Sequence, residues 1–235
     1  KDDEELFPEQ GERYKKNDCD AISDGLPKQT ETEFKRDNGE RVNIRTTRVL
    51  IDGPDRPGQY LLGLSEDVTE IRRSEADRWR LSRFDILTGL LNRASFLERV
   101  DQLINDAEPF ALLNIDLDRF KSVNDQFGHA VGDRFLVHIA SRLLASVRAS
   151  DVVGRYGGDE FCCLLDCQSQ QQLACAAQRI QMSINSSSYL SRLGVSTSLG
   201  GAIYRDGDTM SSLFDRADNA LYRVKNSGKN SYHAA

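Results

Sequence analysis

The spacing of apolar and polar residues changes near residue 70 and again near residue 85. From about Thr30 to Thr69 the chain is rich in Thr, Val, Ile and Arg and is broken by DNGE and DGPDRPG, which predicts three strands joined by hairpins. Ile71 to Phe84 holds many charges and no turn former; Ile71, Ala76, Trp79, Leu81 and Phe84 predict a connecting helix that fits a heptad only loosely. In Arg93 to Ala107, Phe96, Leu97, Val100, Leu103 and Ile104 share one helical face. The short run FALLNID after Pro109 suits a buried strand, and the next helix carries Leu136, Ile139, Leu143, Leu144 and Val147 on one side. DVVGRY and EFCCLLD flank a glycine turn as a hairpin does, and helix 170–185, strand 194–204 and helix 210–226 follow, with Gly228 as a stop. Helices that cross between strands, some paired as hairpins, predict an α+β sandwich with a mixed, largely antiparallel sheet.

Composition narrows the function classes. The 235 residues, 39% hydrophobic and 29% charged, are enough for one large or two smaller domains of a soluble kind. No apolar run approaches the roughly 18 residues of a membrane span, and KDDEELFPEQ lacks the parts of a signal peptide, so the segment is expected to be cytoplasmic. A net charge of −6 argues against a nucleic-acid backbone as partner, yet leaves room for a polyphosphate bridged by a divalent cation. The five cysteines, four of them spaced CC-x3-C-x7-C, match no metal pair and read as small apolar residues of a strand and a helix.

Two places carry candidate chemistry. The buried strand ends in Asn114-Ile115-Asp116-Leu117-Asp118, and RYGGDEF (155–161) places Asp159 and Glu160 after Gly157 and Gly158. If these strands are neighbours, Asp116 and Asp159 face each other, and a bound Mg²⁺ would relieve their repulsion and leave positions for phosphate oxygens. The paired glycines would let a nucleotide approach the backbone. The bland alternative is a plain turn beside a strand-ending acid. Between the two places, Arg119, Phe120 and Lys121 lie where helix-start N–H groups would cradle phosphates. Asn124 and Asp133 fit the guanine edge, whose N1–H and N2 amino group are donors. His129 would either touch the ligand or be a satisfied structural histidine. Lys225 and Lys229 would either complement a helix C-terminus or neutralise a terminal phosphate.

Together DILTGLLNR (85–93), NIDLDRFKSVNDQFGHAVGD (114–133), RYGGDEF (155–161) and ADNALYRVKNSGKN (217–230) resemble the GGDEF-domain family of diguanylate cyclases, in the family's order and separations, over about residues 80–235. The resemblance implies a palm-like nucleotidyl-cyclase fold in which each domain holds one GTP, and two domains of a homodimer face each other to make cyclic di-GMP. It implies two Mg²⁺ or Mn²⁺ ions per active site, held by Asp116, the carbonyl of Leu117 and Asp159, with Glu160 supporting the second. Asp159 would help deprotonate the attacking 3′-hydroxyl. Asn124 and Asp133, with His129 nearby, would read guanine, while Arg119, Phe120, Lys121, Lys225 and Lys229 would meet phosphates. Lys229 stands where the family more often has Arg, which keeps the charge without the bidentate fork. A silent GTP- or cyclic di-GMP-binding regulator of the same fold is the alternative; substitutions at Asp116, Asp159 or the paired glycines would favour it, and none is present.

Arg148-Ala149-Ser150-Asp151 lies at the spacing from Gly157 where the family carries its inhibitory product site, which implies that Arg148 and Asp151, with Arg179, bind cyclic di-GMP. The tetrad Arg205-Asp206-Gly207-Asp208 matches the same pattern, so pattern alone decides nothing, and a helix end followed by a turn is the plain reading of Arg148 and Asp151. KDDEELFPEQ, then ETEFKRDNGERVNIRTTRVL, then GQYLLGLSEDVTEIRRSEAD resemble the latter half of a PAS sensor domain and its exit helix. The expected organisation is a partial PAS-like domain at 1–70, a signalling helix at 71–84 and a GGDEF domain at 85–235. Any membrane attachment would come through a missing upstream part.

Overall fold

The computed structural model describes residues 11–36, 38–52, 59–187, 189 and 193–235. Two compact units meet in the sequence between Trp79 and Arg80. The first contains α1 (Gly11–Asp24), β1 (Lys28–Lys35), β2 (Arg41–Asp52), β3 (Gln59–Asp67) and the start of α2 (Thr69–Arg83). Its strands form an antiparallel sheet in the order β1-β2-β3, as the hairpin signals predict. Gly39, at φ +86°, closes the first hairpin by donating to the Arg36 carbonyl at 2.8 Å. Residues 53–58 of DGPDRPG, and KDDEELFPEQ, lie outside the described residues. Helix α1 is not signalled by the sequence, because it buries only Gly11 and Ala21 and so shows no apolar stripe. Asp18 on it pairs with Arg48 of β2, which is buried and also donates to Thr30 at 3.0 Å.

The second unit comprises α3 (Arg93–Asn105), β4 (Ala111–Asp118), α4 (Phe120–Phe127), α5 (His129–Leu144), β5 (Val152–Arg155), β6 (Glu160–Leu165), α6 (Gln170–Asn185), β7 (Ser196–Ile203), α7 (Met210–Asn226) and β8 (Tyr232–Ala234). Its sheet runs β5-β6-β4-β7-β8, antiparallel except for the β7–β8 pair, so the expected mixed α+β sandwich is what forms. Both faces are covered. Leu113, Ile115 and Leu117 of β4 join Phe135, Ile139, Leu173 and Ile180 in one core; Leu112 joins Phe96, Val100, Leu213 and Ala217 in the other. A central strand buried on both sides must be apolar at successive positions, which is why FALLNID shows no alternation.

Four expectations need correction. Leu144, 54% exposed, does not share the buried face of α5, and Val147 lies beyond the helix end, because the core-facing stripe is Phe135, Leu136, Ile139, Ala140 and Leu143. Helix α3 ends at Asn105, short of Ala107, which takes a left-handed φ of 51° that a helix cannot continue through. Strand β8, bonded in parallel to β7, had no periodicity to announce its three residues. Cys162, Cys163 and Cys167 are buried thiols, but Cys175 points out of α6 and Cys19 out of α1.

Candidate active site

Alternate positions of β4 turn from apolar to polar along the strand: Leu112 belongs to the core shared with α3 and α7, and Asn114, Asp116 and Asp118 follow on the same side. Each polar group finds its partner through the neighbouring elements. Asn114 donates to Asp218 of α7 at 2.6 Å and accepts from the Cys162 thiol at 3.3 Å. Asp116 meets the ammonium of Lys225, also on α7, at 2.7 Å. Asp118, 3% exposed, accepts from the hydroxyls of Ser196 and Ser198 and from the Asn230 N–H at 2.8, 3.0 and 3.4 Å. Helix α7 reaches this strand end because β7 carries Gly200 beneath it; a Cβ there would lie 2.2 Å from the Leu221 nitrogen and 2.5 Å from the Ala217 oxygen.

The signature hairpin closes over the same strand end. Glu160, the first residue of β6, is directly opposite Asp116, and Leu117 donates its N–H to the Asp159 carbonyl at 3.3 Å. Like charges across a strand pair are unfavourable. Burial first, and the charge of Asp116 next, push the Asp159 carboxyl above the usual carboxylate range; burial, then Asp116 and Asp159, do the same to Glu160. Lys225 offsets only part of this charge. Among the described residues no three His, Cys, Asp or Glu side chains already converge on one metal position. The donors at hand, three carboxylates and the backbone carbonyl of Leu117, are all hard oxygens with surplus negative charge, a set that fits Mg²⁺ or Mn²⁺ when phosphate oxygens complete it. Neither Gly157 nor Gly158 needs a left-handed backbone; a Cβ at Gly157 would lie 2.6 Å from Glu160 Oε2, and one at Gly158 would meet open space.

On the other side of β4, Arg119 is the N-cap of α4 in a left-handed conformation, φ 65°, and its own side chain caps none of the first-turn amides. Lys121 is exposed in that turn, whereas the Phe120 ring is buried against Phe135, so only its backbone faces outward chemistry. Lys229 is exposed and also left-handed, φ 65°. Asn124 lies half-buried on α4 with its amide against Gly132 of α5, and Asp133, exposed, is the next residue; the turn at Gly128 (φ +82°) joins the two helices. His129 is exposed at the first position of α5.

The model of the family described as "Diguanylate cyclase, GGDEF domain" matches residues 82–231. The chain belongs to this family. It is 38% identical over 171 residues to the bifunctional diguanylate cyclase/cyclic di-GMP phosphodiesterase MucR of Pseudomonas aeruginosa, covering 70% of this chain and 25% of that protein. To the diguanylate cyclase DgcM of Escherichia coli K12 it is 36% identical over 181 residues, covering 75% and 44%. The chain thus spans between a quarter and less than half of these relatives. Among solved structures, the coiled coil and GGDEF domain of DgcB from Caulobacter crescentus, in complex with c-di-GMP, superimposes with a TM-score of 0.67 at 30% identity, covering 72% of this chain and 93% of that one.

At the far end of β6 from Glu160, the GGDEF domain has a cavity of about 400 Å³ lined by Arg148, Asp151, Cys167, Cys175 and Arg179 among others. The three residues singled out in the sequence therefore share one cavity. Asp151 also builds a turn: its carboxylate accepts from the N–H groups of Arg148 at 2.7 Å and Asp166 at 2.9 Å. The second tetrad folds alike, Asp208 accepting from the Arg205 N–H at 2.8 Å, so both RxxD tetrads of this chain build the same turn. Arg179 donates through Nε to the Ser146 carbonyl at 2.7 Å. Among the described residues no helix is long and apolar enough to cross a membrane.

Sequence reasoning missed a clamp behind the hairpin. Arg155 reaches Asp85 at 3.1 Å and the Gly158 carbonyl at 2.7 Å, while the N–H and hydroxyl of Thr88 donate to Asp85 at 2.8 and 2.6 Å. Both partners lie inside quoted motifs, DILTGLLNR and RYGGDEF, but nothing local signals their contact. Burial pushes the Asp85 carboxyl up, yet hydrogen bonds from Thr88 and Arg155 outweigh it and hold it below the ordinary value. Asp218 was likewise inside a quoted motif without a role.

Proposed function

We propose that this domain condenses two GTP into cyclic di-GMP and two pyrophosphates. The observation that supports the reading most is the placement of Asp116, Asp159 and Glu160 at adjacent strand ends, near enough that their charges act on one another, with Lys225 paired to Asp116. Each domain holds one GTP, and the 3′-oxygen of one attacks the α-phosphorus of the other. A P–O bond forms there, the α–β phosphoanhydride bond breaks, and pyrophosphate leaves. Asp159 would take the 3′-hydroxyl proton. Asp116, Asp159 and the Leu117 carbonyl would hold divalent metal, with Glu160 at a second ion; metal supplies charge stabilisation at the phosphoryl oxygens. The first-turn amides of α4, Lys121, Lys225 and Lys229 hold phosphates, and Asn124 and Asp133 hold guanine. Left-handed non-glycine residues cost of the order of 1 kcal/mol or more and cluster at functional sites; Arg119 and Lys229 are two such positions here.

Because a single domain holds half of the reacting pair, the working form is a homodimer. Residues 1–70 are read as part of a PAS-like sensor and residues 71–84 as the helix that passes its state to the cyclase. Arg148, Asp151 and Arg179 line the cavity that would take cyclic di-GMP as inhibitor. The deciding experiment incubates the purified chain with GTP and Mg²⁺ and separates products by chromatography. Wild type should yield cyclic di-GMP, and Asp159→Asn and Asp116→Asn should yield none while keeping the wild-type circular dichroism spectrum. Nucleotide binding without product in the wild-type dimer would replace the enzyme with a regulator, and near-normal synthesis by either variant would remove the metal assignment.

A further inference from the structure

Four glycines of the GGDEF domain, Gly132, Gly154, Gly157 and Gly200, have an atom closer than 3.0 Å to where a Cβ would lie, and their obstacles differ. At Gly200 the nearest atoms are helix backbone. At Gly132, buried in the first turn of α5, they are all side-chain atoms: a Cβ would lie 1.9 Å from Asn124 Oδ1, 3.0 Å from Asn124 Cγ and 3.3 Å from Phe120 Cζ. Heavy atoms cannot approach within 3.0 Å of a Cβ without something shifting. Phe120 is packed against Phe135 in the core, with ring centroids 5.6 Å apart, so it has little freedom to retreat. Asn124 is a half-buried amide at the end of one short side chain, and rotating it is the cheapest relief.

We propose that Gly132 is a positioning residue for nucleobase selectivity: its missing Cβ leaves the space that the Asn124 amide occupies, one residue before Asp133. This rests on the reading of Asn124 and Asp133 as the guanine pair. Asp133 follows Gly132 directly, so one turn of α5 both presents the acceptor and makes room for the amide. An amide offers a donor and an acceptor, and guanine offers both O6 and the N2 amino group, so turning the amide away leaves a base group without its partner. Adenine has no N2 amino group and carries an acceptor at N1, so it cannot reproduce the guanine pairing of this arrangement. Filling the space therefore costs discrimination between bases before it costs the fold.

The test uses the full chain as wild type, Gly132→Ala, Asn124→Ala and the double variant. Their binding to 3′-deoxyguanosine and 3′-deoxyadenosine triphosphates is measured calorimetrically with Mg²⁺; neither nucleotide has the 3′-hydroxyl, so no product forms. Gly132→Ala should weaken the guanine nucleotide about tenfold and change the adenine one less than about twofold, with a retained circular dichroism spectrum. In the Asn124→Ala background the same glycine substitution should change neither affinity. Equal weakening of both nucleotides by Gly132→Ala, or undiminished weakening of the guanine nucleotide without Asn124, overturns the proposal. A wild type with no preference between the nucleotides overturns the guanine reading itself, and that result is read on wild type alone.

Discussion

Gly200→Ala places a methyl where α7 rests on β7. The built Cβ lies 2.2 Å from the Leu221 nitrogen, 2.5 Å from the Ala217 oxygen and 2.6 Å from the Leu221 Cα, whereas ordinary contact begins near 3.4 Å, so the helix must retreat by about 1.2 Å. None of these atoms can rotate away, since all belong to helix backbone. The retreat would loosen the packing of Leu213, Ala217 and Ala220, all buried at 1% exposure or less. Overpacking usually costs about 1–3 kcal/mol, and a backbone obstacle puts the expected loss near the top, about 3 kcal/mol. For a domain of this size each kcal/mol lowers the midpoint by about 2–4 °C, so a fall of about 6–12 °C is expected. The retreat also draws Asp218 away from Asn114 and Lys225 from Asp116, whose contacts are 2.6 and 2.7 Å long. Thermal and urea unfolding followed by circular dichroism measure the effect, and cyclic di-GMP synthesis below the transition should fall with it. A change below about 0.5 kcal/mol, the size of an ordinary surface substitution, would refute the close packing of helix on strand.

Three further outcomes are expected. Asp85 titrates below its ordinary value because of Thr88 and Arg155, so its stabilisation is present above the unfolded carboxylate pKa and is lost as pH falls through the lower folded value; Asp85→Asn should cost about 2 kcal/mol at pH 7, and a wild-type advantage that persists undiminished at the most acid pH tolerated would contradict it. Asp151→Ala should lower stability by about 2 kcal/mol, because two backbone N–H groups lose their acceptor, while Arg148→Ala should leave stability and initial rates nearly unchanged and relieve inhibition by added cyclic di-GMP; progress curves and melting of both variants separate the turn from the product site. Synthesis per subunit should rise with protein concentration across the range where dimers form, and a flat specific activity over that range would argue against two facing domains.

The sequence by itself determined what depends on neighbours along the chain. Helices 170–185 and 210–226 appear at Gln170–Asn185 and Met210–Asn226 because an apolar stripe at helical period is a local property. The three strands of the first unit and the hairpin around Gly157 were legible for the same reason, since turn residues and apolar runs act over a few positions. Four motifs in order carried the family. Tertiary structure alone decided the contacts that join them. Lys225 stands on Asp116, Arg155 clamps Asp85 and Gly158, and Asn114 meets Asp218 at a separation of 104 residues, none of which a period or a turn signal encodes. Helix α1 and strand β8 were invisible because the partners that stabilise them, Arg48 for Asp18 and β7 for β8, are distant in sequence. Gly132 and Gly200 look alike in the sequence, and only packing distinguishes them: one has a rotatable amide against its missing Cβ, the other a rigid helix backbone.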